Sequence, residues 1–336
     1  MSMADRMPRT DDVAPVEVAP GVHRIDTPLG ARFTSLYVVT GPAGVLLYDT
    51  GIDGTIPAHV LPALELLGRR SDEVVAVIVS HCDVDHFGGV ADAREAFANA
   101  RIVAGALDVP VIEDYERYVT ERARGFVADY GWDEDPAVLA WCRSVTREGR
   151  LDGAAADGER IDLGGDRVVE VLAVPGHSRG HVAVDVPWAN AVIVGDAVLA
   201  ASVDLADGTP AFPPTYRHVD DYLETVARLE RLDRGLLLTA HYPVMRGEAA
   251  GAFLARSREF AERLDRLVAD ALATMPDGLT FADLLAAVNP IAGGWPADGT
   301  EGALAFPVAG HLERLIAEGR ALRVGERDGV AVWATA

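Results

Sequence analysis

The 336-residue chain carries 52 acidic against 30 basic residues, a formal net charge of −22, and every basic residue is an arginine. The absence of lysine excludes Schiff-base and lysine-nucleophile chemistry, and a field of that sign repels phosphate backbones, so no nucleic-acid partner is expected. Hydrophobic residues make up 49% of the chain, enough for one large core and a small appended domain. No apolar run reaches the roughly 18 residues that span a bilayer, so no membrane partner is expected either.

Met1 to Asp12 is polar and mixed in charge, without the basic start and apolar centre of a leader, which predicts a cytoplasmic protein. Cys82 and Cys142 are too few for a disulfide framework and read as free thiols. Residues 1–15 read as a disordered tail. Ser35 to Val39 and Gly44 to Tyr48 form a strand pair around a Gly41-Pro42-Ala43-Gly44 turn, ending in Asp49-Thr50-Gly51. Pro57 to Leu67 has helical spacing. Val74 to Val79 is a continuously apolar strand, buried on both faces, that delivers His81 to its carboxyl end. A helix at Gly89 to Ala98 and a short strand at Arg101 to Ala104 follow.

Residues 106–150 change to an acidic, aromatic helical pattern and read as an insertion. Strands return at Arg167 to Val174, His181 to Val186 and Ala191 to Val194. A proline-aromatic loop at Ala211 to Tyr216 leads into a helix at Val219 to Leu232, then a strand at Leu236 to Thr239. Glu248 to Ala273 is a long helix, with 251–275 read as a connector. The last part, 276–336, reads as a separate winged-helix-like domain. It has helices at Phe281 to Val288 and His311 to Glu318 and a hairpin around Glu326-Arg327-Asp328-Gly329.

Four segments set metal-capable side chains at strand ends: His81-Cys82-Asp83-Val84-Asp85-His86, Gly176-His177-Ser178-Arg179-Gly180-His181, Gly195-Asp196 and Ala240-His241. In an extended loop alternate residues point the same way, so His81 and Asp83 can grip one ion while Asp85 and His86 turn towards another. Cys82, between them, points away. Ser178 lacks the strand-Gly-x-Ser-x-Gly elbow of a serine nucleophile.

In this order the segments resemble the metallo-β-lactamase superfamily, with its HxHxDH, GHSxGH, GD and late histidine, over roughly residues 20 to 245. The resemblance implies an α/β, four-layer αββα sandwich as the domain at 16–250. It implies two divalent metal ions, zinc first, with iron or manganese compatible. His81, Asp83 and His177 would hold one, Asp85, His86 and His241 the other, and Asp196 would bridge them. Asp49 would orient ligands, and His181 would support them rather than bind. Asp83 stands where the family has its second histidine. That variation resembles the flavodiiron proteins, which carry a flavodoxin domain this chain has no room for.

The function expected is hydrolysis of a small acyl ester, thioester or lactone by a metal-bridging hydroxide, with Asp85 moving the proton. A diiron oxidoreductase and a metal-dependent nuclease are the alternatives. The −22 charge and the acidic helix at His311 to Glu318 oppose the nuclease. Tyr115, Tyr118, Phe212, Tyr216 and His218 are candidates to line the substrate site, with Arg179, Arg122 or Arg124 receiving a carboxylate. The C-terminal module is expected to cover the site or to form a homodimer.

Overall fold

A computed structural model describes residues 14–275 and 277–336. The predicted tail lies outside them, apart from Ala14 and Pro15. Successive strand residues face opposite ways, so a strand that is apolar throughout needs cover on both sides, and Val74–Val79 obeys this rule. Ile78 faces one core, and Val77 and Val79 face another.

The first sheet runs β1 (Val16–Ala19), β2 (Val22–Leu29), β3 (Arg32–Thr40), β4 (Val45–Tyr48), β5 (Val74–Val79), β6 (Arg101–Gly105) and β7 (Gly153–Ala155), in that spatial order. It is antiparallel as far as β4 and parallel from β4 to β7. The second sheet begins with β8 (Arg160–Asp162), β9 (Val168–Ala173), β10 (Val182–Val186) and β11 (Ala191–Gly195). A short pair, β12 (Val203–Asp204) and β13 (Pro210–Phe212), stands apart. Then β14 (Leu236–Thr239) and β15 (Met245–Arg246) complete the order β15-β14-β11-β10-β9-β8.

Tyr37, Tyr48 and Ile78 of the first sheet meet Val171, Val184, Ile193 and Leu238 of the second in a shared middle core. The outer face of the first sheet packs Leu47 and Val77 on helical residues such as Leu64, Val90 and Tyr118. The outer face of the second packs Val192 and Leu237 on Val226, Phe253 and Leu264 of helices Val219–Leu232 and Glu248–Thr274. This is the four-layer αββα sandwich. No helix among the described residues is long and apolar enough to cross a membrane.

β16 (Leu279–Thr280), helices Phe281–Ala292 and Glu301–Ala317, and the hairpin of β17 (Ala321–Arg327) and β18 (Val330–Thr335) make up the last part. Residues 276–336, expected as a winged-helix-like domain, pack closely on the sandwich. Phe281, Leu284, Leu312 and Ala321 lie in the same core as Val194 and Phe253. Glu248–Thr274 is therefore a shared wall rather than a connector, buried along its length from Ala250 to Leu272. The final helix also begins at Glu301, well before His311. Gly302, Pro307 and Gly310 hid its start, since glycine and proline are poor helix formers. Gly310 is there because a Cβ would stand 1.9 Å from the Arg217 carbonyl oxygen.

A buried polar chain ties these layers. Tyr216, with no exposed surface, stacks on Tyr222 at 4.2 Å, and its hydroxyl is 3.0 Å from His311 Nε2. His311 Nδ1 is 3.2 Å from Asp265 Oδ1, and Arg314 and Arg320 also reach Asp265, at 3.4 and 3.3 Å. Tyr216, expected among the substrate residues, is thus part of the packed interior. The His311 hydrogen bond, with the two arginines, holds the Asp265 carboxyl down at about 2, against an ordinary 3.8. A depressed folded value means that this contribution to stability is full above the ordinary value and is lost as pH falls through about 2. Asp265→Asn should lower Tm at pH 6 by roughly 2–4 °C. The gap to the parent chain should close as the pH of the thermal melts approaches 2.

Candidate metal centre

Four bonds pinch the two sheets together at one edge. Tyr37 donates its hydroxyl to the Thr239 carbonyl at 2.7 Å and Tyr48 to that of Val182 at 2.9 Å. The Ser35 and Val182 amides donate to the Ala240 and Ser80 carbonyls, at 2.8 and 2.9 Å. Into this edge β4, β5, β11 and β14 empty their carboxyl ends, with Asp49, His81, Asp196 and His241 just beyond them, and the turn after β9 brings His177. The segment from His81 is extended only as far as Asp83. Val84–Phe87 is a helical turn, closed by the His86 amide donating to the Asp83 carbonyl at 2.9 Å. That turn, rather than alternation throughout, swings Asp85 and His86 away from Asp83. Gly88 and Gly89 let it pass, because a Cβ on either would fall 2.5 and 2.4 Å from the Val84 and Thr50 carbonyl oxygens.

Each histidine is anchored through Nδ1, leaving Nε2 for the centre. His86 Nδ1 is 2.9 Å from Asp49 Oδ2, His81 Nδ1 is 2.8 Å from Ser80 Oγ, and His241 Nδ1 is 2.8 Å from the Phe33 carbonyl. His177 Nδ1 meets the Thr215 carbonyl. Fixing one ring nitrogen in this way orients the other for a cation. Asp49 is wholly buried, has φ +69°, and also accepts the Ser80 amide at 2.7 Å. A non-glycine residue in that region is strained. His181 uses Nε2 on the Val194 carbonyl at 3.0 Å and stacks on His81 at 4.5 Å.

The donor set fits a divalent cation. His81 Nε2, His86 Nε2 and Asp196 Oδ1 are buried with no hydrogen-bond partner among the described residues. An uncompensated buried polar atom is costly, and one cation would satisfy all three. His86 Nε2 stands 3.6 Å from both Asp85 Oδ2 and Asp196 Oδ2, and His241 Nε2 stands 3.5 and 3.1 Å from the same atoms. Burial works against charge on His86 and His241, but Asp85, Asp49 and Asp196 outweigh it and raise His86 well above the usual histidine range. Asp196, also opposed by burial, is held well below the carboxylate range by His241 and His86.

Asp83 differs. Its Oδ1 accepts from Arg122 Nε at 2.7 Å and its Oδ2 from Arg122 Nη2 at 2.9 Å, while His177 Nε2 lies 2.9 Å and His81 Nε2 3.5 Å from Oδ2. Arg122, expected only as a receiver of substrate carboxylate, already holds a carboxylate of the protein. Asp108 went unnoticed in the sequence, yet it clamps two motif loops. It accepts the Ser178 hydroxyl at 2.5 Å, the Gly180 amide at 2.8 Å and the Cys82 amide at 3.1 Å. A lone Asp ahead of Val-Pro carries no signal for that role. The Cys82 side chain packs into the outer core, and burial pushes its thiol well up.

A cleft of about 240 Å³ opens over the centre. Tyr118 and Phe212 line it, together with Arg32, Trp141 and Phe306. Tyr115 does not. It is buried in the outer core, with its hydroxyl on the Leu139 carbonyl at 3.2 Å. Arg179 and His218 line an adjacent cleft beside Asp108, with Arg122 between the two. Arg124 is turned outward to Asp133. Of the expected substrate residues, Tyr118 and Phe212 thus line the cleft over the centre, Arg179 and His218 line its neighbour, and Tyr115 and Tyr216 lie in the packed interior. Asp49→Asn, which keeps an acceptor for the Ser80 amide, should loosen the hold on His86 Nδ1 and weaken divalent-metal affinity by roughly 10–100-fold, measured by competition with a chelating indicator.

A family model described as the metallo-beta-lactamase superfamily matches residues 29–241. A probable metallo-hydrolase of Mycobacterium tuberculosis is 32% identical over 125 residues, 37% of this chain and 36% of that protein. A hydroxyacylglutathione hydrolase of a Synechococcus species is 27% identical over 158 residues, 46% of this chain and 47% of the relative. An acyl-coenzyme A thioesterase of Gallus gallus is 26% identical over 223 residues, 64% of this chain and 74% of the relative. The chain thus spans less than half the length of the first two of these relatives. The crystal structure of a metallo-beta-lactamase family protein from Thermus thermophilus superposes with a TM-score of 0.70 at 21% identity, over 94% of this chain and 99% of that one. With its motif segments gathered at the open edge of an αββα sandwich, the chain belongs to the metallo-beta-lactamase superfamily.

Proposed function

We propose that this chain is a metal-dependent hydrolase of a small acyl ester, thioester or lactone, acting on a soluble substrate in the cytoplasm. One observation carries the reading: His81 Nε2, His86 Nε2 and Asp196 Oδ1, buried without a partner among the described residues, gather beside an aromatic cleft that Asp85, Asp196 and His241 also line. The thioester relatives support the substrate class. When bound, a divalent cation supplies an acidified water and a Lewis acid for the acyl oxygen.

The protein's own groups do the rest. Asp85 Oδ2, steadied by the Thr34 hydroxyl at 3.0 Å, takes the proton of the attacking water and returns it to the departing sulfur or oxygen. The acyl carbon gains the water oxygen and loses the leaving group. Tyr118, Trp141, Phe212 and Phe306 give the cleft the apolar wall that an acyl chain needs. Arg32, its guanidinium 4.6 Å from the Phe212 ring, stands at this wall without a carboxylate partner among the described residues, and suits a substrate carboxylate. The oxidoreductase alternative rested on Asp83 as an oxygen ligand, and a carboxylate held bidentately by Arg122 favours the hydrolase reading over it.

Metal-replete protein should turn over members of a thioester, ester and lactone panel. His86→Ala and Asp196→Ala should abolish turnover, and a chelator should suppress it reversibly. Failure of the metal-loaded chain across the whole panel would overturn the reading. Arg32→Ala should raise KM for carboxylate-bearing acyl substrates by roughly tenfold or more, with kcat little changed, in steady-state assays.

A further inference from the structure

We propose that the guanidinium of Arg122 fills one half of this centre, so that the chain holds a single divalent cation, at Asp85, His86, Asp196 and His241, with His81 turned towards it. The inference rests on the metal-dependent reading above and concerns which residues serve the ion.

In the half formed by His81, Asp83 and His177, the atoms that would ligate already face a cation. Arg122 bonds both Asp83 oxygens, at 2.7 and 2.9 Å, in the fork geometry that guanidinium and carboxylate share. Its Nη2 also comes within 3.3 Å of His177 Nε2, and its Nη1 donates to the His177 carbonyl at 3.2 Å. The side chain is not loose. Only a tenth of it is exposed, and its guanidinium lies 4.3 Å from the Phe306 ring of the last long helix. A dication entering this half would meet a fixed positive charge and would have to displace Arg122 from both Asp83 and Phe306.

The other half has no such occupant. No guanidinium among the described residues bonds Asp85 or Asp196, and His86 Nε2 and Asp196 Oδ1 lack partners. His81 Nε2 lies within ligand range of both His86 and Asp196, which gives it a place on the remaining ion. Asp83 explains the arrangement. A neutral histidine there offers a single acceptor nitrogen and no charge, whereas a carboxylate takes the guanidinium through both oxygens. Arg122 also lines the cleft, so it leaves a permanent positive charge beside the acyl oxygen.

Metal counting tests this on the full chain, stripped with chelator, reloaded with excess zinc or manganese and desalted. The parent chain should retain about one equivalent by mass spectrometry, and Arg122→Ala with Asp83→His should retain about two. Manganese-loaded parent protein should give the spectrum of an isolated ion in electron paramagnetic resonance, a readout that does not depend on the variant folding. Two retained equivalents, or an exchange-coupled manganese pair, would overturn this inference and leave the hydrolase reading standing. Retention of none would overturn both.

Discussion

Four aspartates, Asp49, Asp83, Asp85 and Asp196, stand together at the open edge of the sandwich, and three of them are at most 15% exposed at the side chain. Carboxylates cannot be withdrawn from water without compensation. The rest of the architecture answers that demand, through five clustered histidines, a guanidinium brought in by the insertion, and a gap among nitrogen and oxygen atoms that calls for a cation. Even the strained backbone of Asp49 serves it, since that conformation lets one carboxylate orient both the Ser80 amide and His86.

The sandwich supplies rigidity, and the additions supply shape. The pinching bonds between sheets fix where strand ends stop, so the ligating groups inherit the precision of the two sheets. The cleft above is built from three parts of the chain that are remote in sequence. Tyr118 and Trp141 come from the insertion, Phe212 from the β12–β13 pair, and Phe306 from the final helix. Phe306 touches Arg122, which touches Asp83, so packing of the C-terminal helix is coupled through two contacts to the centre. Residues that read as a separable module are in this sense part of the site's wall.

The strands that carry the motifs were legible because their apolar runs are unbroken; Val74–Val79, Leu236–Thr239 and helix Val219–Leu232 appear at the expected bounds. β2 was not singled out. Arg24 and Asp26 interrupt its pattern; their pairing at 2.6 Å lets Arg24 be buried in a strand that pairs with β3 along its whole length. The candidate ligands were legible for the same local reason, since each lies one to seven residues beyond a strand end. The aromatic candidates were not separable by type. Tyr118 and Tyr115 differ by one helical turn, yet one lines the cleft and the other is sealed in the outer core.

Sequence alone therefore determined the chemistry at the strand ends, because strand periodicity and the residues that follow it are local properties. It also determined that Asp83 departs from the family's pattern. What Asp83 does there was decided only in three dimensions. Its partner, Arg122, lies 39 residues away in a segment whose own pattern says no more than helix. A salt bridge formed by two elements packing together leaves no mark on either one.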